Sequence, residues 1–340
     1  VLELSEAPGA FEALEAYLAE ELREGLVADV YLGYGLSAPL RREAAPLPAE
    51  PCALPLLAAQ VRPAGRVPES HASFRVGEWR PTWSPEDYAA AVTEVRAAIA
   101  RGDVYQVNLV QHLSADFDGD PAGLAAALAP LRPLHPHALN GERWSIVSAS
   151  PELFLSRRGD ALRTHPIKGT RPLGQDIDDA KDAAEHVMIV DLERNDLSRV
   201  CEIGSIRWPE LMAQHELAGV THLVSTVEGR VRADAGLAEI LHATFPGGSI
   251  TGAPKISAID HVARLEPVGR GASMGALGQV YANGDFDLAL TIRTFAVADA
   301  RIHLWAGGGI VWDSDPEAEI EESWVKARPL LAAVGGLVAV

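Results

Sequence analysis

The order of strand and helix signals in this chain is compatible with an α+β fold. Three stretches mark that order. A capped amphipathic helix from Ser84 runs into a strand around Tyr105 to Leu109. A glycine-rich strand starts at Trp305, and a helix is capped at Asp315-Pro316. That order alone does not establish how the sheets are arranged. At 340 residues the chain suffices for one large or two ordinary domains. Apolar residues make up 48% and charged residues 22%, the balance of an ordinary globular protein. No stretch approaches the ~20 uninterrupted apolar residues of a membrane span. The segment VLELSEAPGAFEALE is acidic and amphipathic, unlike a signal peptide, and the numbering is read as beginning after a trimmed start. Cys52 and Cys201 form neither a disulfide framework nor a metal knuckle, which fits a reducing cytoplasm. A net charge of -18 would repel nucleic acid and anionic lipid, without excluding a small anion held by local Arg, Lys or metal.

Phe11, Leu14, Leu18 and Leu22 are spaced for one face of a helix. Val27 to Leu36 reads as a strand containing Gly33 and Gly35. The Ala- and Pro-rich stretch from Arg41 to Ser70 reads as a loop with one short apolar strand around Leu54 to Val61. Residues 1–80 are thus expected as a short N-terminal segment of the same fold. At Ser84-Pro85-Glu86-Asp87 a Ser N-cap, a Pro at the first helical position and two acids open a helix. Ala91, Val92, Val95 and Ile99 continue its apolar stripe, and Gly102 ends it. In VYQVNLVQHLSADF, Tyr105, Val107 and Leu109 are expected on one strand face. A helix over Leu124 to Leu128 precedes a strand from Trp144 to Ser148, which leads into Ser150-Pro151-Glu152.

The stretch THPIKGTRP, residues 164–172, places Lys168 between an apolar residue and Gly169, in an expected turn bracketed by Pro166 and Pro172. The chain holds only four lysines against 25 arginines, so ordinary surface charge is carried by Arg. A retained Lys hints at chemistry, because a desolvated amine can lose its proton and act as nucleophile or base, whereas guanidinium cannot. The short strands flanking Glu152 could bring that carboxyl to Lys168.

Beyond residue 175 the chain reads as helical, with Asp182 and Glu185 three apart on one face. Near the end, Glu319, Glu322 and Lys326 follow the Asp315 cap on one helix face. Two carboxylate-bearing helices would make an oxygen-ligand site suited to Mg²⁺. His186 suggests no zinc, because neither HExxH nor a Cys/His spacing is present. FPGGSITGAPK resembles a phosphate loop only in its glycines, and it ends at a helix N-terminus able to hold a carboxylate. DFDLALTIRT reads as a strand placing Arg293 in an apolar run, where it wants an anion. The glycines of AGGGIV, Gly307 to Gly309, allow close backbone approach.

PIKGTRP, EHVMIVDLERNDL, THLVSTVEG, FPGGSITGAPK, GDFDLALTIRT and AGGGIVWDSDPEAEIEESWVKAR occur in this order in chorismate-utilising enzymes. Over about Ser84 to Arg328 the chain resembles component I of aminodeoxychorismate synthase and of its sister, anthranilate synthase. The lysine of PIKGT favours the first, since anthranilate synthases typically have alanine there. The resemblance implies an α+β fold of two antiparallel sheets packed within surrounding helices, with the active site between them and residues 81–340 as the chorismate-binding catalytic domain.

The resemblance further implies Glu185 and Glu322 as direct Mg²⁺ ligands, with Glu319 and Asp182 as outer carboxylates. Asp182 stands where glutamate is common, and Ser273 where tyrosine often occurs. Arg293, Lys326 and the backbone near Gly309 would bind the enolpyruvyl carboxylate of chorismate. Glu152 would be the general acid, Lys168 the nucleophile, and Thr170, His222 and Ser249 further site residues. The implied product is aminodeoxychorismate, with ammonia from a partner glutamine amidotransferase subunit. Anthranilate or isochorismate-type synthesis is the alternative.

Overall fold

The computed structural model describes residues 1–43, 46–67, 70, 72–172, 180–217 and 220–337, with the side chains of 170–172, 180–182, 184, 216, 217 and 220 outside that description. The first strand, β1 (Leu2–Leu4), precedes α1 (Ala10–Glu21), whose Phe11, Leu14 and Leu18 are buried as their spacing requires. β2 (Leu26–Leu32) ends earlier than the sequence suggests, because the chain turns into a 3₁₀ segment at Tyr34–Leu40. β3 (Leu57–Pro63), β4 (Phe74–Val76) and β5 (Arg80–Pro81) lead to α2 (Pro85–Arg101). Ser84 Oγ accepts the Asp87 amide hydrogen at 3.0 Å at the start of α2, and Gly102 closes it with φ 82°, as a C-terminal glycine should.

β6 (Gln106–Gly119) is buried on both faces over its first half. Tyr105 falls outside it and is 67% exposed, so the expected face shared with Val107 and Leu109 does not include it. α3 (Ala122–Leu128), β7 (Leu139–Asn140) and β8 (Trp144–Ser148) follow, then β9 (Leu153–Arg158) and β10 (Ala161–Thr164). β11 (Ile167–Pro172) corrects the expected lysine turn: the segment is a strand. Its register shifts between Lys168 and Thr170, which face the consecutive partners Leu223 and His222. Gly169, with φ 60°, is the extra residue of a β-bulge, a device that re-aims neighbouring side chains.

The remaining elements are α4 (Ala180–Ser198), β12 (Arg207–Leu217), β13 (Val220–Arg230), α5 (Leu237–Thr244), β14 (Gly252–Ala253) and α6 (Lys255–Leu265). After these come β15 (Ala276–Tyr281), β16 (Phe286–Leu290), β17 (Thr294–Ala298), β18 (Arg301–Ile310) and α7 (Pro316–Val334). Asp315 caps α7 by accepting the Ala318 amide hydrogen at 3.0 Å.

A ten-stranded sheet runs β1-β3-β2-β15-β16-β9-β10-β13-β11, with β12 also paired to β13. An eight-stranded sheet runs β14-β6-β18-β17-β8-β7, with β4 and β5 on β6. Among the described residues every ladder is antiparallel, as expected. One face of the eight-stranded sheet packs Leu113, Phe295, Ile302 and Leu304 against Leu330 and Leu331 of α7. Its other face joins the larger core, with Val110, Ala296 and Trp305 beside Leu277 and Phe154 of the ten-stranded sheet. Each such large side chain, fully buried, contributes about 1.5–3 kcal/mol.

The chain passes from the eight-stranded to the ten-stranded sheet through residues 149–152, and returns through 291–293. The expected strand through Arg293 is therefore two strands in different sheets, and Arg293, with φ 50°, sits in the bend between them.

Candidate active site

Glu152 ends the first crossover and is buried. The Ser249 hydroxyl donates to its Oε1 at 2.9 Å. The Ile167 backbone and Lys168, at the start of β11, lie near enough to act on the carboxylate. Burial raises the Glu152 pKa, while Ser249, Lys168 and Arg293 pull it back. Lys168 is half-buried in the bulge. Loss of solvation lowers its pKa, against the opposing pull of Glu185 and Glu152, and Lys326 nearby adds to the lowering. Burial thus moves the acid and the amine each toward its neutral form.

Arg293 is half-buried in the second crossover, and burial lowers its pKa against the nearby Glu152. His222 on β13 pairs with Thr170 in the ladder, and its Nδ1–H donates to the Gly169 carbonyl at 3.2 Å. Burial holds its pKa down, so it is a neutral ring that buttresses the bulge. The Thr170 and Asp182 side chains lie outside the described residues.

α7 brings Glu319, Glu322 and Lys326 over the glycines of β18. A Cβ at Gly308 would lie 3.0 Å from Glu322 Oε1, 3.3 Å from Lys326 Nζ and 3.5 Å from Glu319 Oε2. Lys326 Nζ donates to Glu322 Oε1 at 2.7 Å and to the Gly307 carbonyl at 2.9 Å. A Cβ at Gly309 would fall 1.7 Å from Gln106 Nε2, so any side chain there would have to displace the Gln106 amide.

Sequence reading missed three contributors. Gln106, at 1% exposure, has no hydrogen-bond partner for either amide atom among the described residues, and it faces Gly309. Because β6 carries other polar residues, among them Asn108, Gln111 and His112, nothing in the sequence singles Gln106 out. Glu193 on α4 accepts the Gly248 amide hydrogen at 3.0 Å and so holds the loop bearing Ser249. His186, also on α4, is fully buried, shares a 2.6 Å hydrogen bond with the Ser225 hydroxyl, and has its pKa lowered to about 4 by burial.

The profile of the chorismate binding enzyme family matches residues 41–332. The chain belongs to that family. It is 39% identical over 313 residues to anthranilate synthase component 1 of Streptomyces coelicolor, covering 88% of this chain and 59% of that protein. Aminodeoxychorismate synthase component 1 of Klebsiella aerogenes is 40% identical over 269 residues, covering 74% of this chain and 59% of its own length. The chain thus spans about three fifths of these relatives. The crystal structure of anthranilate synthase component I from Streptococcus pneumoniae TIGR4 superposes with a TM-score of 0.80 at 27% identity, covering 94% of this chain and 85% of that one.

The expected Mg²⁺ ligands share oxygen donor chemistry and one region of the fold. Glu185 and Glu322 both act electrostatically on Lys168, and Glu319 and Glu322 converge on Gly308, so α4 and α7 face one space with oxygen donors only. That set fits a hard divalent cation. Glu185, Glu319 and Glu322 do not close into a set of mutually adjacent ligand atoms. Glu322 is instead paired with Lys326. No helix among the described residues is long and apolar enough to cross a membrane.

Proposed function

We propose that this chain aminates chorismate at C4 to give 4-amino-4-deoxychorismate, a precursor of para-aminobenzoate and folate, with Mg²⁺ as cofactor. The observation that carries the reading is the placement of Lys168 beside the buried Glu152, each with its pKa moved toward the neutral form. The Lys168 amine attacks C2 of the ring. The double bonds shift, and the C4–O bond breaks as Glu152 gives its proton to the departing hydroxyl, which leaves as water. Ammonia then attacks C4, the C2–N bond breaks, and the amine of Lys168 is restored. The proton shed by ammonia returns to Glu152. A neutral primary amine suits both steps because it must attack and later leave.

Arg293 and Gln106 supply donors for the enolpyruvyl carboxylate, assisted by the close backbone at Gly309 and by Lys326. Ser249 orients Glu152, while Thr170 and His222 hold the bulge. Glu185 and Glu322 would hold Mg²⁺, with Glu319 and Asp182 outside them. When bound, the metal neutralises the ring carboxylate of chorismate.

Ammonia comes, in this reading, from a separate glutamine amidotransferase subunit. Burial pushes the thiols of Cys52 and Cys201 up to about 12 and about 11, so neither is a thiolate nucleophile at neutral pH. Incubation of the purified chain with chorismate, Mg²⁺ and ammonium should yield aminodeoxychorismate by mass. Anthranilate, recognised by its fluorescence, would instead make the chain an anthranilate synthase. Efficient use of glutamine by the isolated chain would remove the partner from the scheme.

A further inference from the structure

Among the described residues, the grouping of side chains with metal-like spacing lies away from Lys168. Asp29, His135 and His137 each offer one ligand atom, and these atoms lie within 4.8 Å of one another. Asp29 sits in the middle of β2, between Gln60 of β3 and Gln279 of β15 in the ladder, and is 4% exposed. His135 and His137 come from the segment before β7 in the other sheet, with ring centroids 4.0 Å apart. The cluster therefore bridges the two sheets.

Its polar accounting is incomplete. His137 Nε2 lies 3.2 Å from Asp29 Oδ1. Gln279 donates to the same oxygen at 2.9 Å, and Arg62 Nε donates to Asp29 Oδ2 at 2.6 Å. Arg62 Nη2 approaches both Asp29 Oδ1, at 3.2 Å, and His137 Nε2, at 3.4 Å. His135 is 3% exposed, and its Nε2 has no hydrogen-bond partner among the described residues. An imidazole nitrogen left without a partner at such burial carries an uncompensated desolvation cost. A ligand that accepts its lone pair would recover that cost.

We propose that Asp29, His135 and His137 form a binding site for a borderline-soft divalent cation such as Zn²⁺, with Arg62 as its built-in competitor. Two imidazoles and one carboxylate are a zinc donor set, leaving a fourth position for water. Mg²⁺ is a poor occupant, because it takes oxygen ligands and dehydrates reluctantly. The His137–Asp29 separation of 3.2 Å is close to the edge of a tetrahedron whose bonds are about 2.0–2.1 Å. Arg62 need only withdraw Nη2, since its Nε can keep Asp29 Oδ2. That second-sphere bond would orient the carboxylate.

The test is calorimetric titration of the full chain with Zn²⁺ under saturating Mg²⁺, which keeps the acidic helices occupied. Co²⁺ absorption then serves as the readout of tetrahedral nitrogen ligation. Wild type should take up one Zn²⁺ per chain and show the Co²⁺ bands. Asp29→Asn and the double variant His135→Ala/His137→Ala should lose both signals, and Arg62→Gln should bind more tightly than wild type. Circular dichroism of each variant separates a lost site from a lost fold, and Zn²⁺ should raise the thermal midpoint of wild type and of Arg62→Gln but not of the other two variants. Absence of saturable Zn²⁺ uptake by folded wild type, or equal uptake by the folded double variant, would overturn the proposal.

Discussion

The carbonyl of Arg293 accepts the amide hydrogen of Ala149 at 2.9 Å, so the crossover carrying Arg293 is bonded to the one carrying Glu152. The Leu290 amide completes the tie by donating to the Glu152 carbonyl, also at 2.9 Å. The spacing of the acid and the guanidinium is therefore fixed by backbone. Arg293→Gln should leave the thermal midpoint nearly unchanged and raise KM for chorismate. Loss of a charge-assisted hydrogen bond costs about 1.5–3 kcal/mol, or roughly 10- to 150-fold. Steady-state kinetics with ammonium checks this, and an unchanged KM would remove Arg293 from the carboxylate contact.

Lys168→Ala should abolish aminodeoxychorismate formation at neutral pH while chorismate still binds. Lys168→Arg should be equally inactive, because guanidinium cannot shed its proton to attack C2. Intact-protein mass spectrometry with chorismate and no ammonium should show an adduct on wild type and on neither variant. Wild-type rates in Lys168→Ala would mean that ammonia adds directly.

The pH–rate profile should be bell-shaped. The acid limb reports protonation of Lys168, whose pKa is lowered by burial, and should lie below the ordinary lysine range. The alkaline limb reports ionisation of Glu152, whose pKa is raised by burial. Because the two share a site, the limbs belong to the pair. Glu152→Gln should lose the alkaline limb along with most of its activity. A profile for this variant identical in shape to wild type would refute the general-acid role.

Glu193 should make stability fall as pH rises. Burial, with Asp196 beside it, pushes the Glu193 carboxyl up to about 7, whereas an unfolded Glu titrates near ~4.3. Between those values the unfolded chain has released a proton that the native chain keeps, so the contribution present below ~4.3 is lost on the way to about 7. Glu193→Gln keeps a carbonyl for the Gly248 amide and carries no such dependence. Urea unfolding at several pH values should show the variant gaining on wild type across that window. A constant difference would place the shift elsewhere.

Local signals were readable in the sequence. Ser84 and Asp315 cap their helices as expected, because capping is settled within four residues. The order of motifs carried the residues of the site. What stayed hidden depended on distant partners. Lys168 looked like a turn residue because Gly169 is a bulge only against Leu223 and His222 of β13. Arg293 looked like a mid-strand residue because an apolar run does not reveal that the chain changes sheets within it. Gln106 became a candidate only once Gly309 was seen against its amide.

The ladder between β2 and β15 has a consequence for how the molecule is made. Asp29 meets Gln279, 250 positions further along the chain. At roughly 5–20 residues per second of synthesis, the β2–β3 hairpin, complete at Pro63, waits about 11–43 s for that neighbour to be translated. Throughout that interval its inner edge is an unpaired template, open to wrong strands. The buried Asp29 on that edge is a poor guest for a foreign apolar strand, so the same carboxylate that organises the cluster between the sheets also guards the nascent hairpin against mispairing.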